Sequence, residues 1–366
     1  MGSGPAVGGA VCLTRLPLVR VAIVGLGTAA FHLHLPAITG IDGLVLVGGC
    51  DESPERRRAW EGKTHTPAFA GFEELLDATA PGTVVVATPP GSHADLCVAA
   101  LLRSAHVICE KPLAPTVAEA DRIVEAAAAA GRSVAVNHHF RFQPIFAAVA
   151  EAVAARRHGA LVFVQAWQLM DLPPWREPAP WRAAMSDRCL LESGVHFVDL
   201  LLHLFGDRPD ALSFHRSAGP GGPSGADAVQ ILTLEFPHGR LAQLTINRVS
   251  VAATRYAELR ADCEDASLRA SVGGRALLSV GKERAKRAGV RLDLGRTGLA
   301  WAEIGRRRTV LARNPARAEI VATRRLIEDS VAAFGAGTEP PAPADQARAA
   351  VAVIEAAYAH APVALA

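Results

Sequence analysis

Val21-Ala-Ile-Val-Gly25-Leu-Gly27-Thr28-Ala29-Ala30 is the stretch on which the fold turns. Residues 19–24 form a β-branched apolar run, and residues 29–39 carry helical patterning. The G-x-G-x-x-A between them is a strand-to-helix junction. Gly25 permits a tight turn, Gly27 lets the backbone approach a pyrophosphate, and Ala30 lets the helix lie close to the strand. The helix N-terminus then presents free N–H groups and a positive dipole end to phosphates. Asp51 ends the next strand, at the distance where a carboxylate accepts both ribose hydroxyls and repels a 2′-phosphate. NAD is therefore expected, while Arg56, Arg57 and Arg58 keep NADP open, because an arginine there can hold that phosphate. Gly25, Gly27, Thr28, Ala29, Asp51 and Arg56 are the candidate cofactor contacts at this end. The competing reading is a bare turn with a solvated Asp51.

Outward from the glycine turn, apolar strands are expected at 44–48, 83–87, 106–109 and 133–136, with helices at 73–79, 93–104 and 117–130. Fully apolar strands alternating with helices imply a parallel sheet covered on both faces. After residue 137 the pattern changes. A helix (143–157), a strand (161–170) and a strongly apolar helix (190–205) precede strands at 229–236, 241–249, 256–261, 267–272 and 276–280. Consecutive strands without helices between them suggest a mainly antiparallel sheet. Helices at 316–334 and 345–359 close the chain. The expected fold is α/β: an N-terminal Rossmann doubly wound parallel sheet plus a C-terminal α/β domain with a large, open, mainly antiparallel sheet. The expected division is a flexible leader (1–18), a dinucleotide-binding domain (19–137), a substrate-binding and oligomerisation domain (138–338) and a segment packing back on the core (339–366).

Composition narrows the function. The 366 residues are 50% apolar and 20% charged, ordinary globular usage. A net charge of +2 argues against a nucleic-acid partner, and the arginines of 306–325 read as solvated surface or subunit contact. No apolar run reaches the ~18 residues of a membrane span. The six cysteines form no C-x-x-C pair and no zinc or disulfide spacing. With no export signal at the N-terminus, this points to the cytoplasm. Neither tyrosine, Tyr256 or Tyr358, has the Lys four residues later that short-chain dehydrogenases use.

Two further segments carry chemistry. His106-Val-Ile-Cys-Glu110-Lys111-Pro112 puts a Glu-Lys-Pro at the end of an apolar strand, where open parallel sheets hold their ligands. An amine there is partly desolvated and faces the positive charge of an oxidised nicotinamide, a setting that suits proton transfer near neutrality. Only four of the 38 basic residues are lysines, and arginine cannot exchange its proton usefully. A surface lysine at a turn is the competing reading. In the helix at 190–205, Glu192, His196, Asp199 and His203 fall within an arc of about 60° on an otherwise apolar surface. Such a stripe reads as a site wall, with His196 as acid/base or substrate orienter and Glu192 beside it. A structural Glu–His–Asp network and a metal pair remain alternatives, and His203 reads as structural.

In this order, these features resemble the Gfo/Idh/MocA family of NAD(P)-dependent oxidoreductases. The matching text is VAIVGLG (21–27), ATPPGSHADLC (87–97), HVICEKPLA (106–114), FRFQP (140–144) and SGVHFVDLLLHLFG (193–206). The resemblance implies a small-molecule substrate, a sugar, cyclitol or related polyol, and a homo-oligomer (dimer or tetramer) built through the open sheet. It implies that Thr88, Pro89, His93, Glu110 and Pro112 line the cofactor, that Lys111 is the catalytic lysine, and that His196 is the site histidine with Glu192 beside it. It also implies a cis peptide before Pro112. Position adds Arg141, Trp167, Gln168 and Trp181 as substrate contacts, and no resident metal is expected. Two departures stand out: Glu192 where the family often has Asp, and Met185-Ser-Asp-Arg-Cys-Leu190 where it often has a glycine pair. The expected activity is hydride transfer between nicotinamide and a secondary alcohol or ketone. The rival is a cofactor-binding sensor without turnover.

Overall fold

The computed structural model describes residues 18–359 except 186, 220, 252–254, 274–276, 283–287 and 294–296. The leader expected at 1–18 lies almost wholly outside the described residues. Six strands, β1 (Val19–Val24), β2 (Leu44–Cys50), β3 (Ala68–Phe69), β4 (Thr83–Val86), β5 (His106–Cys109) and β6 (Val134–Val136), form one parallel sheet in the order 3-2-1-4-5-6. That order reverses direction between β1 and β4, so the ligand crevice of this sheet opens beyond their C-terminal ends. The C-terminal parts of β1 and β2 are buried, and every residue of β4 is buried. Helices cover both faces, and their starts are written locally. Thr116 caps Val117–Ala130 by accepting from the Glu119 N–H at 3.2 Å while its hydroxyl donates to the Glu119 carboxylate at 2.8 Å.

A second sheet contains β7 (Leu161–Leu169), β8 (Ala211–Ser217), β9 (Val229–Phe236), β10 (Arg240–Asn247), β11 (Arg255–Cys263) and β12 (Ser267–Gly273). Among the described residues, the strands β13 (Leu277–Lys282) and β14 (Ala288–Asp293) pair only with each other. β15 (Gly298–Ile304) and β16 (Arg307–Arg313) complete the large sheet, whose order is 16-15-12-11-7-10-9-8. All its neighbours are antiparallel except β7 and β10, which run parallel. Alternation sorts the faces: Val164, Ala166, Leu232, Leu234, Ala242 and Leu244 turn inward onto the helices Pro144–Ala154 and Val195–Phe205. The other face stays open, with Ile231 39% and Leu241 41% exposed.

The last two helices return to the first sheet. Ala318–Ala336 packs Leu326, Ile327, Val331 and Phe334 onto Val21 and Ile23 of β1. The sequence reading assigns this helix to the second domain, yet its apolar side covers the first. The chain then passes beside β6, where the Val136 N–H donates to the Ala342 carbonyl at 2.8 Å, before Ala344–Ala359 packs against Val117–Ala130 and Val195–Phe205.

Candidate active site

The glycine turn has the backbone its sequence requires. Gly25 sits at φ +88°, and a Cβ there would lie 2.7 Å from the Ala87 carbonyl carbon, so no other residue fits. A Cβ on Gly27 would meet nothing within 4 Å, because this glycine faces open space. That space is a cavity of about 760 Å³ lined by Leu26, Gly27, Thr28, Asp51 and Arg56 among others. Asp51 is fixed at its rim: one carboxylate oxygen accepts from the Leu26 N–H and the other from the Ser53 N–H, both at 2.8 Å. Arg56 approaches Asp51 only at 3.4 Å and is largely exposed, while Arg57 is tied to the Asp51 and Glu52 carbonyls at 2.8 and 2.9 Å. A glycine facing an open cavity, a helix N-terminus and a fixed carboxylate fit the phosphates and ribose of a dinucleotide.

Several of the predicted cofactor contacts are fixed by bonds within the protein. His93 is fully buried, its two ring nitrogens 2.9 Å from the Pro112 and Thr88 carbonyls, so it joins the loops after β4 and β5. Pro112 is buried after a cis peptide bond. The Glu110 carboxylate is turned onto His34 and Asn137, each at 2.7 Å. Burial pushes the Glu110 carboxyl up, but His34, Asn137 and Lys111 together hold it well below the usual carboxylate range. Thr88 takes a 2.8 Å bond from Ser92, and Pro89 stays exposed at the same loop.

Lys111 crosses from the first sheet to the second domain. Its ammonium donates to the Glu192 main-chain carbonyl at 2.7 Å and lies 3.9 Å from the Glu192 carboxylate. Leu190–Gly194 is a π-helical turn running directly into Val195–Phe205, and such turns recur at functional sites. The wider turn divides the expected stripe. Glu192 faces Lys111. Asp199 is held in a bidentate pair by Arg141 at 2.7 and 2.5 Å, and His203 is exposed at the far end. Arg141 also donates to Gln346 at 2.6 Å, so it serves as a buried strut in place of a substrate contact.

His196 stands one turn beyond Glu192, its ring stacked on Phe140 with centroids 4.6 Å apart and edge-on to His139 at 4.4 Å. Its Nδ1 is buried without a hydrogen-bond partner in the protein. Burial, followed by the charges of His139, Lys111 and His138, holds the imidazole well below its ordinary value, so it is neutral at pH 7. Among the described residues, no group of three or more His, Cys, Asp or Glu is arranged to hold a metal ion.

Glu192 belongs to a charge cluster invisible from local sequence. Its carboxylate takes Ser193, Arg182 at 3.4 Å and Arg248 at 3.4 Å. Arg248 is anchored to Glu177 at 2.7 Å and to the Leu172 carbonyl at 3.0 Å. Burial raises the Glu192 carboxyl, but Lys111, Ser193 and the two arginines outweigh it and keep the group ionised. Trp181 lies under the Arg182 guanidinium, 5.0 Å from ring centre. Trp167 and Gln168 are consecutive on β7 and so face opposite sides of the sheet. Gln168 is buried against Tyr256, while Trp167 belongs to the open face and is removed from the site. His34, Asn137, His138, His139, Arg182 and Arg248 are the site residues that sequence reasoning missed. The adjacent pair His138-His139 just after a buried strand was the one available signal.

Two family models match: an oxidoreductase family with an NAD-binding Rossmann fold over residues 19–138, and the GFO/IDH/MocA C-terminal domain over residues 146–269. Among curated relatives, a 1,5-anhydro-D-fructose reductase of Ensifer adhaerens is 31% identical, the match covering 61% of this chain and 68% of the relative. Inositol 2-dehydrogenase 4 of Saccharopolyspora erythraea is also 31% identical, over 62% and 66% of the two chains. A D-apiose dehydrogenase of Paraburkholderia graminis is 30% identical, with 53% and 52% covered. The chain thus spans about two thirds of the first two relatives and about half of the third. In fold it is similar to an Agrobacterium radiobacter oxidoreductase solved with NAD+, L-tartaric acid and magnesium (TM-score 0.77, 17% identity, 93% and 96% covered). With a glycine turn over an open crevice and these matches along both halves, the chain belongs to the GFO/IDH/MocA family of NAD-binding oxidoreductases.

Proposed function

We propose that the protein is an NAD-dependent dehydrogenase or reductase interconverting a secondary alcohol and a ketone of a polyol-like substrate. The observation that carries this reading is Lys111: it leaves the end of β5 at the crevice and ends 2.7 Å from the helix that bears Glu192 and His196. The bound nicotinamide would supply the redox chemistry by accepting or returning a hydride. Gly27 and the helix N-terminus behind it hold the phosphates, and Asp51 holds the adenosine ribose and disfavours a 2′-phosphate. As a neutral amine Lys111 takes the hydroxyl proton in oxidation, and as an ammonium it returns that proton in reduction. His196, neutral and with Nδ1 unpartnered, orients that hydroxyl. Glu192 positions Lys111 through its main chain and carboxylate. The named relatives act on anhydrofructose, inositol and apiose, which supports a polyhydroxylated substrate.

The open face of the large sheet, where Ile231, Thr245 and Trp167 share a row, is the surface through which a homo-oligomer would form. Among the described residues no helix is long and apolar enough to cross a membrane, and Cys50, Cys97, Cys109 and Cys263 form no disulfide. These features support a place in the reducing cytoplasm. The test is reduced-nicotinamide absorbance with a panel of polyols and keto sugars, before and after Lys111→Met. The substitution should lower turnover by about 10²–10⁴ with NAD affinity retained. Undiminished turnover removes Lys111 from the chemistry. NAD binding with no turnover by any substrate favours the sensor instead.

A further inference from the structure

The donors and acceptors that face one another beyond Lys111 are unequal. Three cations, Lys111, Arg182 and Arg248, meet two carboxylates, Glu177 and Glu192. Glu110 is beside Lys111 in sequence, but one of its oxygens accepts from His34 and Asn137 and the other from the Lys111 main-chain N–H at 3.2 Å, so it makes no ion pair with the ammonium. Each oxygen of the two carboxylates faces a cation. Glu192 takes Lys111 and Arg182 on one oxygen, Ser193 and Arg248 on the other; Glu177 takes Arg182 on one and Arg248 on the other. The surplus in this cluster is therefore of positive charge.

The three cations are not held alike. Arg248 is 3% exposed and locked by short bonds to Glu177 and Leu172. Arg182 is 40% exposed, approaches its carboxylates only at 3.4 and 3.5 Å, and its buried Nε makes no hydrogen bond. A guanidinium that is loosely paired and partly buried gains most from a planar, bidentate anion.

We propose that the substrate of this site is an anionic polyol, its carboxylate or phosphate gripped by Arg182 beside Lys111. This rests on the oxidoreductase reading and narrows it. A wholly neutral sugar would leave the third cation of this cluster without a counter-charge. Glu192 contributes through its length: the extra methylene relative to Asp lets one carboxylate reach Lys111, Arg182 and Arg248 together.

Calorimetry on the NAD+-loaded protein separates the cases with three probes: D-gluconate, D-glucitol 6-phosphate and D-glucitol. At least one of the two anions should bind about tenfold or more tightly than glucitol, and whichever is tighter identifies carboxylate or phosphate. Arg182→Ala should abolish that preference, and Arg182→Lys should retain part of it, while the NAD+ isotherm stays as in the parent and reports an intact fold. Glucitol binding as tightly as both anions, an anion preference that survives Arg182→Ala, or no anion binding up to about 10 mM overturns the proposal. Turnover of a neutral polyol alongside any of those results leaves the oxidoreductase reading standing and removes only the anion.

Discussion

His34 Nε2 lies 2.7 Å from Glu110 Oε1, with the imidazole fully buried and the carboxylate 12% exposed. The first residue ends the π-helical turn after the glycine loop, and the second precedes Lys111. The helix that meets the phosphates and the turn that carries the amine are thereby joined by one charge-assisted bond. Asn137 adds a second bond to the same oxygen at 2.7 Å and accepts from Thr323 at 3.3 Å. Glu110→Gln preserves shape and removes the charge, so it should cost roughly 2 kcal/mol of stability in urea unfolding. Because the Glu110 carboxyl is held well below its ordinary value, its stabilisation is complete above about pH 4.3 and fades as the pH falls further. The variant should therefore lose less stability than the parent on acidification below that point. An unchanged urea midpoint in the variant would show that the bond contributes nothing.

Asp51 decides between the two nicotinamide dinucleotides. Its carboxylate already accepts the Leu26 and Ser53 N–H groups, which fix its direction, and its remaining lone pairs face the cavity rim. Asp51→Asn should weaken NAD binding about tenfold and raise relative affinity for NADP, since repulsion of the 2′-phosphate disappears. Fluorescence titration with both cofactors reads this directly. Parent protein that binds NADP as tightly as NAD would overturn the assignment.

The first sheet was legible in sequence because its buried strands are continuous apolar runs. β1 and β5 begin and end where the pattern places them. Pro54–Thr64 was not legible, since Trp60 is its only buried residue and no apolar stripe forms. β16 escaped for the same reason: Arg307–Arg313 is mostly exposed, and its arginines read as a solvated stretch. In the site, Lys111 and His196 stood out because one directly follows and the other sits on a strongly patterned element. Arg182 and Arg248 did not, because a pair made across a fold leaves no trace in local spacing. The π-helical turn at Leu190–Gly194 also has no periodic signature, so the stripe looked continuous where the structure splits it.

Gly25 offers a sharper test of the cofactor turn than Gly27. Gly25→Ala must accommodate a Cβ 2.7 Å from backbone atoms of Ala87 and Thr88 at φ +88°, so the loops after β1 and β4 have to separate. A loss of about 2 kcal/mol or more in stability is expected, with weakened NAD binding. Gly27→Ala meets no protein atom within 4 Å, so its stability should stay within about 0.5–1 kcal/mol of the parent. Its NAD affinity should still fall, because the added methyl stands where the pyrophosphate passes. Equal effects of the two substitutions on stability, or full NAD affinity in Gly27→Ala, would contradict this geometry.

Burial of three neighbouring histidines should set the acid limit of the fold. His138 and His139 are both lowered to about 4, in each case first by burial. Asp199 opposes that shift at His138, and Glu110 opposes it at His139. His196 is also well below its ordinary value. Unfolding exposes all three to water, where each takes up a proton near pH 6.5. The unfolded chain thus binds more protons than the folded one between about pH 6.5 and 4, and stability is lost as the pH drops through that window, by at most about 1.4 kcal/mol per pH unit for each group. Above about pH 6.5 these groups contribute no slope. His138→Gln should flatten the dependence by about one proton, read as urea midpoints at a series of pH values across the window. A slope identical to that of the parent would mean that His138 is already charged in the folded protein.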